Sequence, residues 1–232
     1  DRRQRQMCIR DRLCSCSDYL DIVPDNVTTL DIVFNNKNTA QRYLANCYHF
    51  VPDHGSVKRI PGMGAGHECW FYTDKDSYFD NEVSFYIARG LQNTNAPYAN
   101  YWDGEGGSKL PMFRAIRECN IFLSYVRDQH KVNDLTDSER KRWIAEVNVL
   151  KAYYHFFLFE HYGPIPIVDE ALPVSTSSEG VKVTRMPVDQ VVDFMVKLID
   201  DSYKDLPPVI TMEATEMGLS LIHISEPTRL LS

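Results

Sequence analysis

The stretch TDSERKRWIAEVNVLKAYYHFFLFEHYGP, residues 136–164, decides the fold. Thr136, Asp137, Ser138 and Glu139 form a capping box, in which the Thr136 oxygen accepts from the backbone three residues on and Glu139 reaches back. Trp143, Val147, Leu150, Tyr154, Phe157 and Leu158 follow at helical spacing, with His161 continuing it, and Gly163-Pro164 stops the run. The spacing predicts a helix over 137–162, leaving through the extended Ile165-Pro166-Ile167-Val168.

Working outward, Met112, Phe113, Ile116, Cys119, Asn120, Leu123 and Val126 predict a helix over 111–128. The polar turn between the two is short, so they pack antiparallel. Upstream, Ala40, Tyr43, Leu44, Cys47, Tyr48 and Val51 predict a first amphipathic helix with Asn38 or Thr39 as its N-cap and Pro52 as its end. Downstream, Pro187 as first helical residue and Val188, Val191, Val192, Met195, Leu198, Ile199 and Leu206 predict a last helix over 187–206. That helix has no partner in the remaining sequence, which points to a truncated array whose exposed apolar face makes the fragment marginally stable. Between residues 52 and 108 the chain is rich in Gly, Asp, Asn and Tyr, and only Glu82 to Arg89 predicts a short helix. Long aromatic-rich loops inside a domain are usually functional. No strand-period segment of useful length interrupts the pattern, so the fold is mainly α.

Composition narrows the partners. Of 232 residues, 44% are hydrophobic and 25% charged, enough apolar material for a core, and no window is long and apolar enough to span a membrane. The formal net charge is −7, and residues 1–12 alone hold five Arg, so the body is near −10 and repels a phosphate backbone. Nucleic acid is an unsuitable partner, and neutral ligands remain open. Both ends, DRRQRQMCIRDR at the start and MGLSLIHISEPTRLLS at the finish, lack periodicity and resemble translated adapter read-through. The expected organisation is a tail over 1–12, a lead-in over 13–36, an α domain over 37–213 and a second tail over 214–232. Leu13-Cys14-Ser15-Cys16 looks like the end of a bacterial lipobox, with Cys16 the lipidated residue. Cys47 and Cys119 fall on apolar helix faces and read as buried free thiols.

Read together, four segments resemble the N-terminal part of the SusD/RagB family of outer-membrane nutrient-binding lipoproteins. Cys16 to Pro24 matches its C-x-x-[FY]-L-[DE]-x-x-P lead-in, and Ile116 to Leu123 its I-R-x-x-N-x-F-L helix. Ala145-Glu146 with Leu150 to Leu158 matches A-E-x-x-x-L-R-A-Y-x-x-x-x-L, and Tyr162 to Pro166 its Y-G-x-[IV]-P. Lys151 stands where the family usually has Arg, and Met186 where Ser or Thr is common. The resemblance implies tetratricopeptide-like helix pairs with long irregular loops and a lipid anchor at the outer membrane, on the cell surface. It also implies glycan or other oligomer capture for a SusC-like TonB-dependent transporter, with no cofactor and no covalent chemistry. Glu68, Trp70 and Tyr72 resemble the family segment in which an acidic residue and aromatics meet the glycan. Aromatic faces stack on sugar rings while carboxylates and amides bind hydroxyls. The competing role for Trp70 is packing against the helix pair, and Trp102 reads as an anchor for its loop on the Phe113 helix.

Other chemistries find little support. Asp74, Asp76, Asp80 and Glu82 lack the glycine and the closing carboxylate of a calcium loop. Gly62, Gly64 and Gly66 follow no strand and open no helix, unlike a dinucleotide loop. His155 and His161 are expected on different helix faces, and Glu146 and Glu160 lie too far apart for a paired-carboxylate hydrolase. The alternative to glycan capture is a helical-repeat scaffold that binds only protein partners.

Overall fold

The computed structural model describes residues 30–55, 61–66, 83–95, 97–104, 110–171 and 183–207. The chain divides into two units, Asp1–Val33 and Phe34–Ser232. In the first, the described residues form one helical turn, α1 (Leu30–Val33), with Leu30 and Ile32 exposed. The second carries α2 (Lys37–Tyr48), α3 (Pro61–Gly64), α4 (Val83–Ala88), α5 (Met112–Val126), α6 (Asp137–Tyr162), α7 (Val188–Ser202) and a closing 3-10 turn, Tyr203–Asp205. Among the described residues there is helix and no strand. The fold is mainly α, as its periodicity predicts.

The pair α5 and α6 forms the centre and is antiparallel. Phe122 meets Trp143 near one end, while Trp102 bridges Phe113 and Tyr162 at the other. Ala115, Ile116, Cys119, Phe122 and Val126 from α5 and Val147, Tyr154, Phe157 and Leu158 from α6 are fully or almost fully buried. Burying side chains of this size contributes about 1.5–3 kcal/mol each before chain entropy is counted. The capping box is present, with the Glu139 amide donating to Thr136 Oγ1 at 3.3 Å and Glu139 Oε2 accepting from the Thr136 amide at 3.1 Å.

α2 lies across this pair. Its Cys47 and Cys119 of α5 are both buried free thiols, and the Tyr154 hydroxyl of α6 donates to the Cys47 carbonyl at 2.5 Å. Phe34, ahead of α2, stacks on Tyr125 with 4.5 Å between centroids. Its carbonyl accepts from Val132, a buried residue at φ 50 in the turn between α5 and α6. The α2 N-cap is Asn36, whose side chain accepts from the Thr39 amide at 3.1 Å, so the helix begins before the expected Asn38 or Thr39. Asp134 explains the shift, because both its carboxylate oxygens accept from the Lys37 amide, at 2.8 and 2.9 Å.

α7 packs antiparallel on α6, with Asn148 donating to the Ser202 hydroxyl at 3.1 Å and His155 meeting Phe194. This corrects the expectation of a last helix without a partner: Val191 and Met195 are buried. The adjoining stripe still leaves Val188, Val192, Val196 and Ile199 exposed by 38–47%. Pro187 is the N-cap, one position before the first helical residue expected of it. A second correction concerns Gly62 and Gly64, which lie within the single helical turn α3 where the sequence suggested no helix.

Candidate functional site

The ends of α5 and α6 that point away from their connecting turn carry the loop residues 91–95 and 97–104, and here aromatic rings and amides gather. Tyr101 is buried, and its amide donates to the Tyr162 hydroxyl at 2.9 Å. The same hydroxyl donates to the Ala99 carbonyl at 3.4 Å, and the Met112 amide donates to the Tyr101 carbonyl at 3.0 Å. These bonds seat the loop on the first turn of α5 and the last turn of α6.

Trp102 is half-buried between Phe113, 4.6 Å away, and Tyr162, 5.6 Å away and nearly perpendicular. The Arg185 guanidinium lies over its ring at 5.3 Å and donates to the Pro164 carbonyl at 3.2 Å. Trp102 is therefore the anchor expected of it. Just upstream, Tyr86 of α4 and Tyr98 stack almost parallel, 4.2 Å apart at 8°, and both are partly exposed. Gln92 Oε1 accepts from the Tyr98 and Ala99 amides at 2.8 and 3.3 Å. Asn93 accepts from the Asn95 amide, and Asn100 donates to Asp103 at 2.5 Å. The loop is thus held by its own amides as well as by its bonds to the helix pair.

Burial raises the pKa of both Tyr101 and Tyr162, so both phenols stay neutral donors at physiological pH. Among the described residues the surface offers half-exposed rings flanked by neutral amides, the Asp103 carboxylate and the Arg185 guanidinium over Trp102, with charges of both signs. Such a surface suits a neutral polyhydroxylated ligand better than an ionic one. The sequence reading missed the Tyr86–Tyr98 stack and the Gln92 brace. The available signal was the Asn- and Tyr-rich run from Gln92 to Trp102, which has no helical period.

The residues proposed for glycan contact, Glu68, Trp70 and Tyr72, lie outside the described residues, as do Cys16 and the Asp74 to Glu82 acidic set. His155 and His161 sit apart: His155 is buried against Phe194, whereas His161 is exposed, with its ring against Tyr101 and Phe157. Glu146 is buried and accepts from the Arg142 side chain at 2.8 Å, whereas Glu160 is exposed. Among the described residues no group of three His, Cys, Asp or Glu side chains could hold a metal, and no helix is long and apolar enough to cross a membrane.

A SusD-like family model, described as starch-binding and associating with the outer membrane, matches residues 18–215. A SusD-like protein of Bacteroides fragilis superposes with a TM-score of 0.56 at 17% identity, covering 81% of this chain and 33% of its own. A laminarin-binding SusD-like protein superposes with a TM-score of 0.58 at 15% identity, covering 85% of this chain and 42% of its own. At these identities the likeness concerns the fold, which is that of tetratricopeptide-like helix pairs. The chain spans about a third to two fifths of the length of these two structures. Comparison with curated proteins finds no match.

Proposed function

The chain belongs to the SusD-like family, described as starch-binding and associating with the outer membrane, and from that premise we propose that it captures an oligomeric glycan at the cell surface and delivers it to a SusC-like TonB-dependent transporter. The observation that carries this reading is the family match over residues 18–215, which runs through the loop-rich region as well as the helices. An acidic chain of net charge −7 with 12% aromatic residues is suited to a neutral sugar polymer. In this reading Trp70 and Tyr72 stack on sugar rings, Glu68 accepts from hydroxyls, and a lipid on Cys16 holds the protein to the outer membrane. Capture requires no cofactor and no bond making or breaking.

The test is calorimetric titration of the purified protein and its Trp70→Ala variant with laminarin, amylopectin and other soluble neutral polysaccharides. Binding by the wild type that falls at least tenfold in the variant supports both the function and the site. Binding unchanged in the variant moves the site away from residues 68–72, towards the Tyr86–Tyr98 loop. No heat with any glycan overturns glycan capture by this chain. The exposed stripe of α7 would then favour the scaffold reading, in which only protein partners bind.

A further inference from the structure

Where α6 ends, the chain turns at Gly163 and runs back extended through Ile165 to Asp169, and three side chains from the helix pair grip this return segment. Asn120 of α5 donates to the Val168 carbonyl at 3.1 Å. Lys151 of α6, 1% exposed, donates through its ammonium to the Asp169 carbonyl at 2.8 Å and carboxylate at 2.5 Å. His155, one turn further along α6 and fully buried, has Nδ1 2.7 Å from the Lys151 carbonyl. A carbonyl only accepts, so Nδ1 carries the proton and Nε2 is left as an acceptor. The Val168 amide fills that role, donating to Nε2 at 3.5 Å. Phe194 of α7 closes the site, edge-on to the His155 ring at 5.1 Å and 5.8 Å from the Lys151 ammonium.

We propose that His155 is an acid-releasable latch, which in its neutral form fastens Ile165–Asp169 to α6 and on protonation frees that segment while the α5–α6 pair stays folded. The geometry gives the reason. A proton on Nε2 turns the acceptor into a donor facing the Val168 N–H, so the bond becomes a clash of two donors. It also adds a second positive charge beside Lys151 in a site from which water is excluded.

The surrounding charges do not cancel this. Lys151 on α6 opposes protonation, and Asp169 on the return segment favours it but is already engaged by Lys151. Arg127 at the C-cap of α5 and the Cys119 thiol within it act on Lys151, and on α7 Lys197 is drawn to Asp169. Burial, the largest influence, holds the His155 pKa down at about 4, against 6.5 for a free histidine. His155 therefore binds the proton more tightly when the segment is free than when it is latched, and opening is favoured as pH falls from 6.5 towards 4. With those two values the opening constant rises about 20-fold between pH 7 and pH 5.

Amide hydrogen exchange tests this, with rates referred to the intrinsic rate at each pH. In the wild type, protection of the Val168 amide, and of the Met186 amide that donates to the Ile165 carbonyl at 3.0 Å, should fall about 20-fold from pH 7 to pH 5. The amides of Val147 and Leu150 in α6 should keep theirs. In His155→Gln, whose amide can neither gain nor lose a proton, the fall should vanish. Wild-type protection that is independent of pH overturns the latch, as does a fall that persists unchanged in His155→Gln or includes Val147 and Leu150. If the variant does not fold, the wild type decides: loss of Val168 and Met186 protection that follows the titration of the His155 ring resonances supports the latch, and loss that does not follow it overturns the latch.

Discussion

Replacing Arg140 by Met should be among the most damaging single changes in the described helices. Arg140 is only 8% exposed, and its guanidinium donates to four carbonyls: Val126 at 2.6 Å, Asp128 at 3.1 Å, Lys131 at 3.0 Å and Val132 at 3.0 Å. It thereby caps the C-terminus of α5 and closes the turn into α6 with one side chain. Two of these acceptors have other donors, since the Lys131 amide reaches the Asp128 carbonyl and the Leu135 amide the Val132 carbonyl. The bond to Val126 is buried, and its loss exposes that carbonyl to the full cost of an unmet buried acceptor, about 1–3 kcal/mol. Adding the lost charge-assisted bonds to the other three, and allowing water to reach the partly exposed ones, gives about 3–5 kcal/mol in total. Set against an ordinary stability of about 5–15 kcal/mol, that is a large fraction. In urea, followed by helix circular dichroism at pH 7, the Arg140→Met midpoint should fall by about 2 M for a slope near 2 kcal/mol per M. Arg140→Lys, with a single ammonium unable to span four carbonyls, should lie between the two. A midpoint for Arg140→Met within about 0.5 M of wild type would refute the reasoning, because the four bonds would then be no better than those water makes.

The Lys151–Asp169 pair should respond asymmetrically: Lys151→Met, which removes a charge that burial already disfavours, should alter stability by less than about 1 kcal/mol, whereas Asp169→Asn should cost about 1–2 kcal/mol. The same urea titration compares them, and Lys151→Met proving the worse variant would contradict this account. Gly104 has φ +81, and a Cβ there would lie 2.7 Å from Pro111 Cδ and the Pro111 nitrogen, so Gly104→Ala should cost about 1–3 kcal/mol and disturb the Trp102 loop. Thermal melting, with tryptophan fluorescence reporting on Trp102, measures both effects.

Helices announced themselves in the sequence where one face repeats for several turns, and their ends where a side chain caps locally. α6 satisfies both conditions, and its bounds, its capping box and its antiparallel partner follow from residues 111–164 alone. α2 satisfies only the first. Asn36, Asn38 and Thr39 are all competent caps, and the choice of Asn36 depends on Asp134, which is far away in sequence and receives the Lys37 amide. Arg140 was opaque for the same reason, since its acceptors come from the turn over 126–132. A cation in the first turn of a helix is disfavoured by the helix dipole, and that anomaly was the one hint that it was needed elsewhere. Lys151 and His155 gave a similar hint, being polar residues on a stripe that is otherwise apolar. The spacing of His155 and His161 disfavours a shared metal, and the structure gives His155 a backbone amide as its partner.

The candidate site was less legible than the core because a ligand surface has no period to betray it. Trp102 could be placed because its partner Phe113 sits on a periodic helix, which fixes one end of the contact. Tyr86 and Tyr98 are joined across a loop that no spacing rule describes, and Gln92 braces the Tyr98 side of the stack by receiving the Tyr98 and Ala99 amides. A brace of this kind places ring faces at the surface before any ligand arrives, which lowers the ordering cost of binding. The Trp70→Ala titration therefore separates two physical arrangements. If the Glu68 to Tyr72 segment carries the affinity, the braced loop is scaffolding. If affinity survives the loss of Trp70, the braced rings are the surface that a sugar polymer meets.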